Sequence, residues 1–223
     1  MKILIGLFIA MTSVTVPVWA QSRKTQKIGL EDGKTVKAQI ISRRLNTDRD
    51  LTFDDVVIEK SEITELKKKY GEVKTIRTGE EGNRTSSICY TNGKEDVIRF
   101  SSNETGRGKI VTAIEAYKSD VDDATNCVES ENFPKTFKNK RDIRLGISKD
   151  SVTTILGKRS YSIGKNNFGY TYSTVFTAPK EMDCSEKAIG ISTYQFRFRK
   201  NKVVYFKVAQ VTSCWTPVAT TDI

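Results

Sequence analysis

Nucleophilic and metal-assisted chemistry find few tools in this chain. It contains no histidine, so the Ser-His and Cys-His pairs in which an imidazole takes the nucleophile's proton cannot be assembled, and the commonest zinc ligand is missing. Its four cysteines, Cys89, Cys127, Cys184 and Cys214, show no C-x-x-C spacing, which argues against a metal centre. Carboxylates remain. Glycoside hydrolysis needs two acids about 5 to 9.5 Å apart across a cleft. Asp54 and Asp55 are neighbours on an extended stretch and would point to opposite faces. Glu80-Glu81 and Asp122-Asp123 fall in loops without aromatic platforms for sugar. The residues therefore predict no catalytic set, no metal and no cofactor, and a carboxylate-only hydrolase is the weakest functional reading.

The cysteines have a simpler use. Residues 1–20 read as a cleaved secretory signal, with Lys2 as the positive start, Ile3 to Ala10 as the apolar core and Val18-Trp19-Ala20 as the cleavage site. That apolar run is shorter than the roughly 18 to 20 residues of a spanning helix, and no cysteine lies beside the cleavage site to carry a lipid. The expected product is periplasmic or secreted and does not span the membrane. Disulfides form and persist in such compartments. Three pairings are possible for four cysteines. Cys89 with Cys127 and Cys184 with Cys214 is the favoured one, because each bond then ties a strand, or the loop before it, to the end of its own half of the chain.

Two stretches carry the elements that would position any site. Around Ile63, Leu66 and Tyr70 the apolar spacing predicts a short helix, capped at Ser61 and stopped by Gly71. Strands follow at Val73 to Thr78, Ser86 to Tyr90, Asp96 to Ser101 and Lys109 to Tyr117. The same order returns after Ile143: a cap at Ser148, an apolar stripe of Val152, Ile155 and Leu156, a stop at Gly157, then strands at Phe168 to Val175, Ser192 to Arg199 and Val203 to Val211. The spacing of the two copies exceeds the 20 to 50 residues or so of solenoid repeats. The expectation is an α+β chain of two tandem modules, 58–118 and 143–214, each a short helical segment packed on a three- to four-stranded antiparallel sheet. Residues 21–57 would be an N-terminal extension with one strand, Thr35 to Ile41, and a charged loop, Arg43 to Asp50. Residues 119–142 would be a linker, and 215–223 a tail.

One surface stands out. In Thr193 to Arg199, Tyr194, Phe196 and Phe198 alternate with Gln195, Arg197 and Arg199, giving a strand with one face in the core and one wet and basic. Tyr205 and Lys207 on the next strand join that face, so Arg197, Arg199, Tyr205 and Lys207 form the candidate binding surface. The formal charge of +10 would suit nucleic acid in a cytosolic protein. In an exported one it suits an acidic protein or an anionic envelope component, and nucleic acid is not expected as a partner.

Gly146-Ile147-Ser148, Leu156-Gly157, Phe168-Gly169-Tyr170-Thr171-Tyr172 and the hairpin strands Phe196-Arg197-Phe198 and Val203-Val204-Tyr205-Phe206 resemble the characteristic line of the SmpA/OmlA, or BamE-like, family. The tandem form is similar to the β-lactamase inhibitor protein fold, in which two modules present one sheet to a partner enzyme. Isoleucine stands where the family has methionine after Gly146, Lys158-Arg159 stands where a proline commonly follows Leu-Gly, and the family's lipidation cysteine is missing. The resemblance implies a non-enzymatic protein-binding module of the bacterial envelope whose partner is another envelope protein. The alternative is a binder of anionic envelope lipid or polysaccharide.

Overall fold

Alternating aromatic and polar residues set the long strands, and a two-residue turn fixes their pairing. Lys200 and Asn201 both adopt positive φ, 48° and 62°, the conformation of the tight turns whose twist matches a hairpin. They join Lys187–Arg199 to Lys202–Cys214, which pair over their whole length, with one register shift between Arg197 and Phe198. The computed structural model describes residues 24–29, 35–42, 45, 47–81, 83–93, 95–122, 124–178, 180, 182, 184 and 186–214. The signal segment and the tail read from the sequence lie outside them.

In chain order the elements are β1 (Lys24–Gly29), β2 (Thr35–Ser42), a helical turn α1 (Thr47–Asp50), a small hairpin β3 (Thr52–Phe53) and β4 (Val56–Val57), and helix α2 (Ile63–Tyr70). Strands β5 (Ile76–Thr78), β6 (Thr85–Thr91), β7 (Asp96–Ser102), β8 (Ala113–Lys118) and β9 (Val128–Glu129) follow. Helix α3 (Lys149–Leu156) precedes β10 (Tyr161–Ile163), β11 (Asn167–Thr177), β12 (Lys187–Arg199) and β13 (Lys202–Cys214). Eleven of these strands form one sheet. Its main path runs β1-β2-β11-β12-β13-β8-β7-β6-β5, with β10 on β11 and β9 on β6.

This corrects the expected fold class. The described chain is mostly β, and there are not two modules each with a small antiparallel sheet. β13 and β8 are hydrogen-bonded neighbours from Tyr205↔Tyr117 to Ala209↔Ala113, so the strands run on without a boundary. The sheet is also mixed, because β2 joins β11 and β9 joins β6 in parallel. The physical reason is that β8 and β13 would each have left a row of unpaired N–H and C=O groups, and pairing with each other removes both open edges.

One face of this sheet is dry. Tyr90, Phe100, Ile114, Phe206, Phe196 and Tyr170, from six neighbouring strands, lie in a single core with Leu66 and Tyr70 of α2 and Val152 and Leu156 of α3. Burying side chains of this size contributes about 1.5 to 3 kcal/mol each. Tyrosines of the sheet also serve the helix ends. Tyr90 Oη donates to Gly71 O at 2.7 Å, Tyr170 Oη to Gly157 O at 3.2 Å and Tyr172 Oη to Leu156 O at 3.2 Å, satisfying C-terminal carbonyls that have no partner within a helix. The N-termini differ. Ser148 Oγ caps α3 by accepting from Ser151 N at 3.0 Å, whereas Ser61, expected to cap α2, accepts from Val57 N and leaves Glu62 at the cap without a side-chain bond.

Two stretches read as peripheral are packed into this core. Leu45, Leu51, Phe53 and Val56 are buried, so part of the N-terminal extension belongs to the core. Phe133 and Phe137 of the expected linker are buried too. Phe133 lies 4.7 Å from Tyr70 and Phe137 5.6 Å from Phe53 between ring centroids. Asn139 fastens the two stretches together: its Nδ2 donates to Asp50 O at 3.2 Å while its Oδ1 accepts from Ile143 N at 2.9 Å. Among the described residues no helix is long and apolar enough to cross a membrane.

Candidate functional site

With one face of the sheet covered by the helices, the other is the candidate contact surface. Its side chains are arranged in rungs across the strands that meet at the β13–β8 seam. The central rung is charged. Arg99, Glu115, Lys207 and Gln195 stand opposite one another on β7, β8, β13 and β12. Lys207 Nζ lies 2.9 Å and Arg99 Nη1 3.4 Å from the Glu115 carboxylate. Arg99 Nη2 also donates to Tyr117 Oη at 2.8 Å. One carboxylate is thus held between two cations, at positions where alternation along each strand turns the side chains away from the core.

The next rung is Val97, Tyr117, Tyr205 and Arg197. The Arg197 guanidinium sits 4.3 Å from the centre of the Tyr205 ring, in reach of the attraction between a cation and a ring face. Tyr117 and Tyr205 are buried with Cys89 and Val97 under Val121, Ala124 and Cys127. The Cys89–Cys127 disulfide pins that loop to the face, and a second bond joins Cys184 to Cys214. These are the two bonds favoured by the order of the strands.

On the other side of the charged rung the face turns apolar. Ala113 faces Ala209, Val211 faces Ile191, and Ile189 faces Val175. Ile191 and Val175 are 41% and 44% exposed, and Ile189 and Val211 are half-buried. A groove of about 470 Å³ runs beside this gradient, lined by Ile76, Arg99, Glu115, Lys207, Ala209 and Val211 among others.

Each residue proposed from sequence has a definite place. Arg197 is exposed and stacked on Tyr205, while Tyr205 itself is buried. Lys207 is half-buried against Glu115. Arg199 lies beyond the register shift and is ion-paired with Asp120. The structure therefore brings Arg197, Tyr205 and Lys207 onto one continuous surface and turns Arg199 to the hairpin end. Sequence reasoning missed Arg99, Glu115 and the Val175–Ile191 patch. The signal for Glu115 was present: it alternates with Ala113 and Tyr117 as the one charge on that side of its strand.

The acidic pair Asp54-Asp55 sits in the turn between β3 and β4, with Asp54 at φ 52°. Burial raises the Asp54 carboxyl above the usual carboxylate range, against the opposing bond from the Lys138 backbone N–H. Burial also works on Asp55, but the Lys69 ammonium and the Tyr70 hydroxyl outweigh it and hold that carboxyl low. Divergent acids are what acid–base chemistry uses. Here both lie outside the large cavities and serve as ties, Asp54 to the 138–142 loop and Asp55 to α2. Among the described residues no cluster of His, Cys, Asp or Glu could hold a metal ion.

Comparison with protein-family models, with curated proteins and with solved structures finds no match to this chain.

Proposed function

We propose that this chain is an exported, non-enzymatic protein-binding module that contacts its partner through the open face of the sheet. One observation carries the reading: exposed Ile191 and Val175 lie on the same face as a fixed charge pattern of Arg99, Glu115 and Lys207. Protein interfaces combine apolar anchors with a polar surround, and rigid strands hold both without ordering cost at the moment of contact. A binder of anionic lipid or polysaccharide would instead present cations free of internal partners. Here Lys207 and Arg199 are already paired with carboxylates. Two disulfides fit an oxidising compartment, and the resemblance to the BamE-like family points toward an envelope partner.

The test is an affinity capture from envelope extract at low and high salt, using the mature oxidised protein, Ile191→Asp, and Arg197→Glu with Arg199→Glu. Retention of one discrete protein at high salt, lost in Ile191→Asp, is the expected result. Retention of only lipid or polysaccharide, at low salt alone and lost in the arginine double variant, would overturn it.

A further inference from the structure

The long strands β11, β12 and β13 extend past the helices, and on their core-side face they leave a cavity of about 450 Å³ that lies apart from the proposed contact surface. Its volume is in the ordinary range for small-molecule sites, about 300 to 1,000 Å³. Leu45, Ile58, Ile110, Phe176 and Met182 supply apolar walls, and Gly190 leaves the floor open.

A single carboxylate stands in this apolar setting, and the surroundings orient it. Glu59 Oε2 accepts from Gln210 Nε2 at 2.6 Å and from Thr212 Oγ1 at 2.7 Å. Gln210 is itself aligned, because its Oε1 accepts from the Ser192 hydroxyl at 2.8 Å and so turns the amide N–H₂ toward Glu59. The backbone is fixed as well: Glu59 N donates to Val111 O at 2.7 Å. Glu59 holds φ at 64°, a left-handed conformation that a residue with a side chain adopts at a cost of about 1 to 3 kcal/mol and that gathers at functional sites. Among the described residues none donates to the second oxygen, Oε1. A carboxylate bonded through one oxygen and open at the other, beside apolar walls, matches a ligand with one strong donor and an apolar body.

We propose that this cavity binds a small amphiphile carrying one ammonium group, with the ammonium donating to Glu59 Oε1 and the apolar body lying against Ile58, Ile110, Phe176 and Met182. A charge-assisted bond in a partly desolvated site gives the selectivity, and the apolar walls give the affinity. Lys60 also lines the cavity and is exposed to solvent. Met182 lies two residues before Cys184, which is bonded to Cys214 at the end of β13.

The probe is 2-phenylethylamine, titrated into the full mature chain while the methyl resonances of Leu45, Ile58, Ile110 and Met182 are followed, with 2-phenylethanol and 3-phenylpropanoate as comparison arms. Saturable shifts of those methyls by the amine are expected, with the alcohol at least about tenfold weaker, the scale of a hydrogen bond to a charged group, and the carboxylate not binding. Glu59→Gln keeps an oxygen for Gln210 and Thr212 and should cost the amine about tenfold or more. Gly190→Leu fills the floor, where a Cβ meets only ordinary contacts with Phe176 and Thr212, and should abolish binding. Equal affinity for amine and alcohol, preference for the carboxylate, or no saturable shift of the wall methyls would each overturn the proposal. The three-probe comparison on the unaltered chain decides it even where Gly190→Leu does not fold.

Discussion

Lys207 and Glu115 meet across the seam between β13 and β8, with Nζ 2.9 Å from Oε1, while Arg99 reaches the same carboxylate from β7. Their side chains are only 19%, 10% and 24% exposed, so the carboxylate neutralises two cations drawn partly out of water. Removing it takes the shared countercharge from both cations at once; removing one cation leaves the carboxylate its other ion pair. Glu115→Ala is therefore expected to destabilise the fold by about 2 to 4 kcal/mol, toward the lower part of the range for breaking a buried pair, and Lys207→Met by about 1 kcal/mol. Urea unfolding of the two single variants and the double variant measures this. A Glu115→Ala cost no larger than that of Lys207→Met would show that the carboxylate does not hold both cations.

Phe137 and Phe133 make a second prediction, because they lie where the chain reads as a polar linker. Phe137 stacks on Phe53 and meets Phe100 edge-on at 5.8 Å; Phe133 touches Tyr70, Tyr90 and Phe100. Each should behave as a core aromatic, with Phe→Ala costing about 3 to 5 kcal/mol. A solvated linker would lose a few tenths. Thermal and urea unfolding of Phe133→Ala and Phe137→Ala distinguish the two.

These residues also show where the sequence stops being legible. Local signals carried well: Val152 and Leu156 on one stripe, Ser148 as a cap, Gly157 as a stop, and the alternation of Tyr194, Phe196 and Phe198 all describe short-range geometry that the structure keeps. Phe133 and Phe137 are isolated apolar residues among Asp, Glu, Asn and Lys, with no period to announce them; only the aromatic cluster they enter gives them a role. The Lys207–Glu115 contact joins strands that are distant in the chain, and such non-local pairings leave no mark in either segment's periodicity. Tyr205 read as wet because alternation assigns a face, not what covers it; Val121, Ala124, Cys127 and Arg197 cover it. Glu59 had no local signal at all, since its partners Gln210 and Thr212 come from the far end of the sequence.

Gly169 gives a test of strand packing. It faces Tyr161 in the β10–β11 pairing, and a Cβ at that position would lie 2.3 Å from the Tyr161 ring and 2.6 Å from Tyr194 O. The ring is buried across the glycine, so Gly169→Ala must displace Tyr161 or the β12 backbone. A loss of about 1 to 3 kcal/mol is expected from such overpacking, and pairing Gly169→Ala with Tyr161→Ala should recover part of it. No recovery in the double variant would mean that the backbone carbonyl, not the ring, sets the limit.

Titration separates groups that the fold treats differently. Burial, helped by the charge of Glu72, pushes the Tyr90 hydroxyl up to about 12, and burial with the nearby Asp50 charge raises Tyr194 well above the usual phenol value. A phenol whose folded pKa exceeds its unfolded value of about 10 contributes stability that is complete below pH 10 and lost as pH rises through the folded value. Alkaline unfolding should therefore steepen above pH 10, and Tyr90→Phe should flatten that arm while costing about 1 kcal/mol at neutral pH through its lost bond to Gly71 O. At the acid end the sign reverses for Asp55, whose lowered carboxyl adds stability above its unfolded pKa that disappears as pH falls through the folded one. Carboxyl carbon resonances should show Asp54 titrating at higher pH than Asp55, and Lys69→Met should move Asp55 upward and Asp54 by less. Coincident titration of the two carboxyls would remove Lys69 and Tyr70 as the ties between this turn and α2.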